Sequence, residues 1–93
     1  MRERELERKL AQAAKALGGI CPKFTSPGFD GMPDRLVLLP GGKLGFVEVK
    51  RAGQQPRALQ LSRHGMLQRL GFQIYVLDDI GQIGAIINAI QTT

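Results

Sequence analysis

The sequence predicts an α/β domain with the element order α-β-β-β-α-β-α, a mixed central sheet flanked by helices. Three observations lead there. Apolar residues at helical spacing open the chain (Leu6 to Leu17) and close it (Ile80 to Ile90). Two short aliphatic runs, Leu36 to Leu39 and Leu44 to Lys50, meet at Pro40-Gly41-Gly42. A second helical stretch then precedes a third strand-like run, Phe72 to Leu77. At 93 residues the chain reads as one domain, residues 1–93, with no linker, repeat or low-complexity tract to divide it and only a modest core to bury.

Taken in order, Leu6, Leu10, Ala13, Ala14 and Leu17 form the apolar stripe of the first helix, and Gly18-Gly19 ends it with residues tolerant of positive φ. A short strand is expected around Ile20 to Thr25. The loop Ser26-Pro27-Gly28-Phe29-Asp30-Gly31 follows, rich in turn-forming residues. After the hairpin, Pro56 suits the first turn of a helix whose apolar stripe is Leu59, Met66, Leu67 and Leu70, stopped by Gly71. Phe72 to Leu77 reads as a buried strand. Asp78 or Asp79 then caps a last helix with Ile80, Ile83, Ile87 and Ile90 on one face.

The bulk properties narrow the function classes. A formal charge of +5 and a pI near 10.0 favour a polyanionic partner. The placement of charge says more: from Val49 to Leu77 there is no acidic residue, while Lys50, Arg51, Arg57, Arg63 and Arg69 fall inside. Cys21 stands alone, which excludes a disulfide framework and a cysteine-based zinc site and leaves it a small buried hydrophobe. No apolar run approaches the roughly 20 residues that span a bilayer, and Met1-Arg2-Glu3-Arg4-Glu5 does not begin a signal peptide. The expectation is a cytoplasmic protein with no membrane association and no small-molecule cofactor.

Asp34 and the pair Glu48 and Lys50 carry the chemistry. Successive side chains on a strand point to opposite faces, so Glu48 and Lys50 share one face with the Val49 carbonyl between them. Mg²⁺ or Mn²⁺ takes carboxylate, carbonyl and water oxygens and leaves room for substrate phosphate; Asp34, Glu48 and the Val49 carbonyl form such a half-shell. The hairpin register decides whether they meet. An even loop pairing Leu39 with Leu44 sets Asp34 opposite Val49, on the wrong face. A three-residue loop, Pro40-Gly41-Gly42, pairs Leu39 with Lys43 and sets Asp34 opposite Glu48, so that loop or a bulge near Asp34 is expected.

Ser26-Pro27-Gly28, Gly31-Met32-Pro33-Asp34-Arg35, Leu38-Leu39-Pro40-Gly41-Gly42, Phe46-Val47-Glu48-Val49-Lys50 and Leu59-Gln60 occur in this order. With this ordered set the chain resembles, nearly end to end, the PD-(D/E)XK nuclease superfamily, a restriction-endonuclease-like fold, and within it the small stand-alone VRR-Nuc proteins of phages and bacteria. The resemblance implies Mg²⁺- or Mn²⁺-dependent phosphodiester hydrolysis of DNA. For stand-alone members it implies a homodimer like the Holliday junction resolvases, acting in viral replication, recombination or repair. It implies catalytic Asp34, Glu48 and Lys50, with a metal held by Asp34, Glu48 and Val49. It also places a metal-site glutamate on the first helix. Glu3, three and seven positions before Leu6 and Leu10, matches that position, and Glu7 lies on the same side. Gln60 is expected near the site, positioning water or phosphate. Ser26 and Arg35 match the pattern and serve either the fold or phosphate contact; Arg51, Arg57 and Arg63 are expected to touch nucleic acid.

Each residue also has an ordinary reading. An isolated Pro-Asp is commonly a turn, Glu48 a solvent-facing strand residue, Lys50 an edge-strand guard and Gln60 a solvated helix residue. His64, beside Arg63 on a face expected to be exposed, reads as a DNA-contacting or neutral surface residue rather than a base. A flap or nonspecific endonuclease is the alternative within the nuclease class. Outside that class, a binding module without chemistry has no need of Asp34 and Glu48, and a structural subunit gives no reason for the ordered motifs.

Overall fold

The computed structural model describes all residues, Met1–Thr93. The elements are α1 (Glu3–Ala16), β1 (Arg35–Leu39), β2 (Lys43–Val49), α2 (Ala58–Arg69), β3 (Gln73–Leu77), a short 3₁₀ turn (Ile80–Gln82) and α3 (Ile83–Gln91). The sheet order is β1-β2-β3, with β1 antiparallel and β3 parallel to β2. The sheet is mixed as expected, but it has three strands where the predicted order has four. Its parallel pair needs a crossover, which α2 supplies.

Helix α1 ends as Gly18-Gly19 suggests. Gly18 adopts φ +84°, and the Gly19 N–H donates to the Ala14 carbonyl at 2.9 Å, closing a left-handed cap. The chain then passes beside β1, but the strand expected at Ile20 to Thr25 is reduced to two isolated bridges, Ile20 with Leu38 and Lys23 with Arg35. Pro22 lies between them and has no N–H to give a continuous ladder. Gly19 sits so close to this edge that an added Cβ would lie 2.3 Å from the Leu38 carbonyl oxygen. Gly19→Ala should therefore lower stability by about 1–3 kcal/mol, the ordinary penalty of overpacking; an unchanged urea midpoint would show that the edge yields freely.

One sheet face carries the apolar core. Leu6, Leu10 and Ala14 of α1 and Ile83, Ile86, Ile87 and Ile90 of α3 bury Val37, Leu39, Val47, Val49 and Leu77, together with Cys21. Cys21 is the buried hydrophobe expected of it. Fully buried Leu6, Leu10 and Ile90 each contribute about 1.5–3 kcal/mol. The Asp79 side chain accepts from the Gly81 N–H at 2.8 Å, confirming one of the two expected caps. It caps the 3₁₀ turn, which leaves Ile80 exposed and brings Ile86 into the core instead.

The opposite face differs from expectation. Helix α2 begins at Ala58, after Pro56, and its buried residues are Gln60, His64 and Leu67, while Leu59 and Leu70 are exposed. The predicted apolar stripe is thus displaced, and the helix turns polar side chains toward the sheet. β3 starts at Gln73, with Phe72 exposed, and is half-buried rather than buried because it forms one edge of the sheet.

Candidate metal-dependent active site

The hairpin takes the odd-loop register. Leu39 pairs with Lys43 across Pro40-Gly41-Gly42, and the ladder runs to Arg35 opposite Val47. Gly41 and Gly42 both adopt positive φ, +85° and +74°, which the turn requires. Continued by one residue, the register sets Asp34 opposite Glu48. The contacts agree: Asp34 Oδ2 accepts from the Val49 N–H at 2.9 Å.

Pro33 explains why the ladder stops there. The next pairing would set Pro33 opposite Val49, where a strand residue would donate its N–H to the Val49 carbonyl; proline has none. The Val49 N–H turns to the Asp34 carboxylate, and its carbonyl, which points to the same edge, keeps its acceptor capacity. Both backbone groups of Val49 thus face Asp34.

Glu48 lies beneath α2 and is only 1% exposed. Its Oε2 accepts from Gln60 Nε2 at 2.9 Å, and Lys50 Nζ stands 3.9 Å from the same oxygen. Gln60 Oε1 in turn accepts from the Arg57 N–H at 2.8 Å, so the first turn of α2 locks this amide in place. Gln60 is therefore not a solvated helix residue. Burial, then the neighbouring Asp34 charge, pushes the Glu48 carboxyl up to about 8, against the opposing pull of Lys50 and Arg57.

His64 corrects the sequence reading. It is 7% exposed, one turn beyond Gln60, with Nε2 3.5 Å from Glu48 Oε1. Desolvation lowers its pKa, with Lys50 acting in the same direction and Asp34 opposing. Neither Glu48 Oε1 nor His64 Nε2 has a hydrogen-bond partner although both are buried. The spacing Gln60-x-x-x-His64 after Glu48-Val49-Lys50 was the available signal, because positions four apart share a helix face.

On α1, Glu3 and Glu7 line a hollow of about 220 Å³ with Lys23, Phe24, Thr25 and Asp34. The structure separates the two glutamates. Glu7 Oε1 accepts from Arg35 Nε at 2.9 Å, and Arg35 Nη1 donates to the Cys21 carbonyl at 2.9 Å. Of the two readings of Arg35, its contacts are those of the fold, tying α1 to the segment beside β1. Ser26 is half-buried, its carbonyl accepting from the Phe29 N–H at 3.0 Å. Arg63 is likewise engaged, donating from Nε to the Asp30 carbonyl at 2.7 Å and lying 3.9 Å from the Phe29 ring centre. Arg51 and Arg57 are exposed.

The structure thus draws Asp34, Glu48, Lys50 and Gln60 together, adds His64, and sets Glu3 in the hollow beside Asp34. No group of three or more His, Cys, Asp and Glu side chains closes into a metal cage. The donor set is an open half-shell, which suits a hard divalent ion that keeps its waters and takes substrate oxygens. One feature fits such an ion: the buried Glu48 Oε1 has no hydrogen-bond partner.

No family model matches the chain. It is 49% identical over 78 residues to "Putative nuclease p44" of Acyrthosiphon pisum secondary endosymbiont phage 1, covering 84% of each chain. It also superposes on a solved structure described as "VRR_NUC domain" with a TM-score of 0.86 and 32% identity, over 92% of this chain and 94% of that one.

Proposed function

The chain belongs to the VRR-Nuc domain family, and on that premise we propose that it is a Mg²⁺- or Mn²⁺-dependent DNA endonuclease that cuts four-way junctions as a homodimer. The observation that carries the reading is the meeting of Asp34 and Glu48 at the end of the hairpin ladder, with the Val49 carbonyl and Lys50 beside them.

Asp34, Glu48 and the Val49 carbonyl, with Glu3 reaching across the hollow, would hold the metal. A metal held there would supply a water of lowered pKa and positive charge to offset the charge that develops during phosphoryl transfer. Lys50, 3.9 Å from Glu48, would orient the attacking water or accept its proton, and as an ammonium would offset charge on the pentacoordinate phosphate. Gln60 fixes the Glu48 carboxylate. Exposed Arg51 and Arg57, in the acid-free stretch between the site and α2, meet the phosphate backbone. In-line attack breaks the bond to the 3′-oxygen and leaves a 3′-hydroxyl and a 5′-phosphate.

The junction and dimer assignments rest on the superfamily resemblance, and they have a geometric logic: a two-fold dimer presents two identical sites to two strands of one symmetric branch. The setting would be phage or bacterial replication, recombination or repair in the cytoplasm; no helix of the chain is long and apolar enough to cross a membrane. The test is Mg²⁺- and Mn²⁺-dependent cleavage of matched four-way junction, flap, duplex and single-stranded DNA. Paired symmetric cuts in the junction are expected. Equal cutting of all four would leave a nonspecific nuclease, preference for the flap would replace the junction assignment, and binding without cutting under either metal would overturn the enzyme.

A further inference from the structure

The buried face of α2 carries more polarity than packing requires. Of its three buried residues, Gln60, His64 and Leu67, two are polar, and both point at one side chain, Glu48. Gln60 satisfies Oε2, whereas Oε1 and His64 Nε2 face each other with no other partner. An unmade buried hydrogen bond costs about 1–3 kcal/mol per group, so a purely structural role would favour an aliphatic residue at position 64.

We propose that His64 is a positioning residue for Glu48: its Nε2–H donates to Oε1, so that Gln60 and His64, one helical turn apart, hold the two carboxylate oxygens and fix the orientation in which the carboxylate meets the metal. This rests on the metal-dependent reading above. At 3.5 Å the contact is longer than a hydrogen bond. It needs only a few tenths of an ångström to close, and an ionised carboxylate draws a donor closer than a neutral one does. An imidazole ring nitrogen that carries its hydrogen is a donor, and Nε2 is the ring nitrogen that faces Oε1. Each carboxylate oxygen has two lone pairs, so both clamps leave capacity for an ion. Hydrogen bonds to metal-ligating carboxylates have this orienting effect in general.

The experiment compares His64→Gln, which keeps an N–H donor, with His64→Met, of similar volume and no donor, in the full chain titrated with Mn²⁺ and read by electron paramagnetic resonance. His64→Met should weaken Mn²⁺ binding about 10–100-fold and move the Mn²⁺ midpoint of cleavage in step, while His64→Gln restores most of the affinity. Wild-type affinity in His64→Met overturns the inference, as does a His64→Gln protein as weak as His64→Met. A variant-free reading comes from ¹⁵N spectra of the wild-type ring in saturating Mg²⁺: a protonated Nε2 is expected, and a bare Nε2 overturns the donor role even if a substitution unfolds the chain. Failure of the wild type to bind Mn²⁺ overturns the metal reading itself. Mn²⁺ binding that Glu48→Gln abolishes and His64→Met leaves intact overturns this inference alone.

Discussion

On the proposed metal-dependent reading, Asp34→Asn and Glu48→Gln should each reduce cleavage by about 10³-fold or more, because each would replace a charged oxygen ligand with a neutral amide beside the reacting phosphate. The substitutions are chosen to keep the local contacts. An asparagine oxygen still accepts from the Val49 N–H, so Asp34→Asn retains the bond that ends the hairpin ladder. Asp34→Ala loses that bond as well and should cost about 1 kcal/mol of stability beyond its loss of activity. Single-turnover rates at saturating Mn²⁺, with urea melts alongside, separate the two effects. More than a tenth of wild-type activity in Asp34→Asn would remove Asp34 from the metal site.

The second large effect is on stability, and its sign is opposite. Without metal, Glu48 binds its proton more tightly in the folded chain, at about 8, than unfolded, near the ordinary 4.5. A carboxyl raised in this way stabilises the fold fully below its unfolded value and loses that contribution as pH rises toward 8. His64, lowered by burial, acts the other way: its contribution is present above about 6.5 and is lost below it. The two therefore oppose each other just below 6.5. From pH 6.5 to 8 Glu48 acts alone, and metal-free stability should fall by roughly 2 kcal/mol. Glu48→Gln abolishes that slope and is more stable than wild type at pH 8, since its amide oxygen can accept from Gln60 while its NH₂ donates to His64 Nε2. Excess Mn²⁺ should stabilise the wild type by about 2.7 kcal/mol at a hundredfold excess over Kd, and Glu48→Gln hardly at all. Denaturant midpoints at pH 6.5 and 8, with EDTA or Mn²⁺, measure all of this. A flat wild-type profile in EDTA would show that Glu48 is charged without metal.

Local signals carried the hairpin and the site it builds. The period-2 strands, the glycine pair and the requirement that Asp34 meet Glu48 led to an odd loop or a bulge near Asp34, and the structure takes the odd loop, pairing Leu39 with Lys43. The helix end at Gly18-Gly19 and the cap at Asp79 were legible for the same reason: each depends on a few adjacent backbone groups. Ile20 to Thr25 failed as a full strand because one missing N–H, at Pro22, interrupts the pairing.

Helix α2 marks where local reasoning stops. Counting apolar residues put Leu59 and Leu70 inside, whereas the fold exposes both and buries Gln60 and His64. Hydrophobic periodicity assumes that the buried face is apolar, and here that face covers a buried carboxyl whose partners must come from the helix above it. Likewise, the resemblance pointed to Glu3 with Glu7 on the same side, and only the packing of α1 against the segment beside β1 engaged Glu7 with Arg35, while Glu3 lines the hollow with Asp34. The sequence by itself determined the order of the helices and of the three sheet strands, narrowed the hairpin to an odd loop or a bulge, and brought forward Asp34, Glu48 and Lys50 as the candidate site, because these depend on spacing along one or two strands. Tertiary structure alone decided which polar groups close over that site, because partners 12 to 28 residues apart are chosen by how helices dock and by which buried charges must be satisfied.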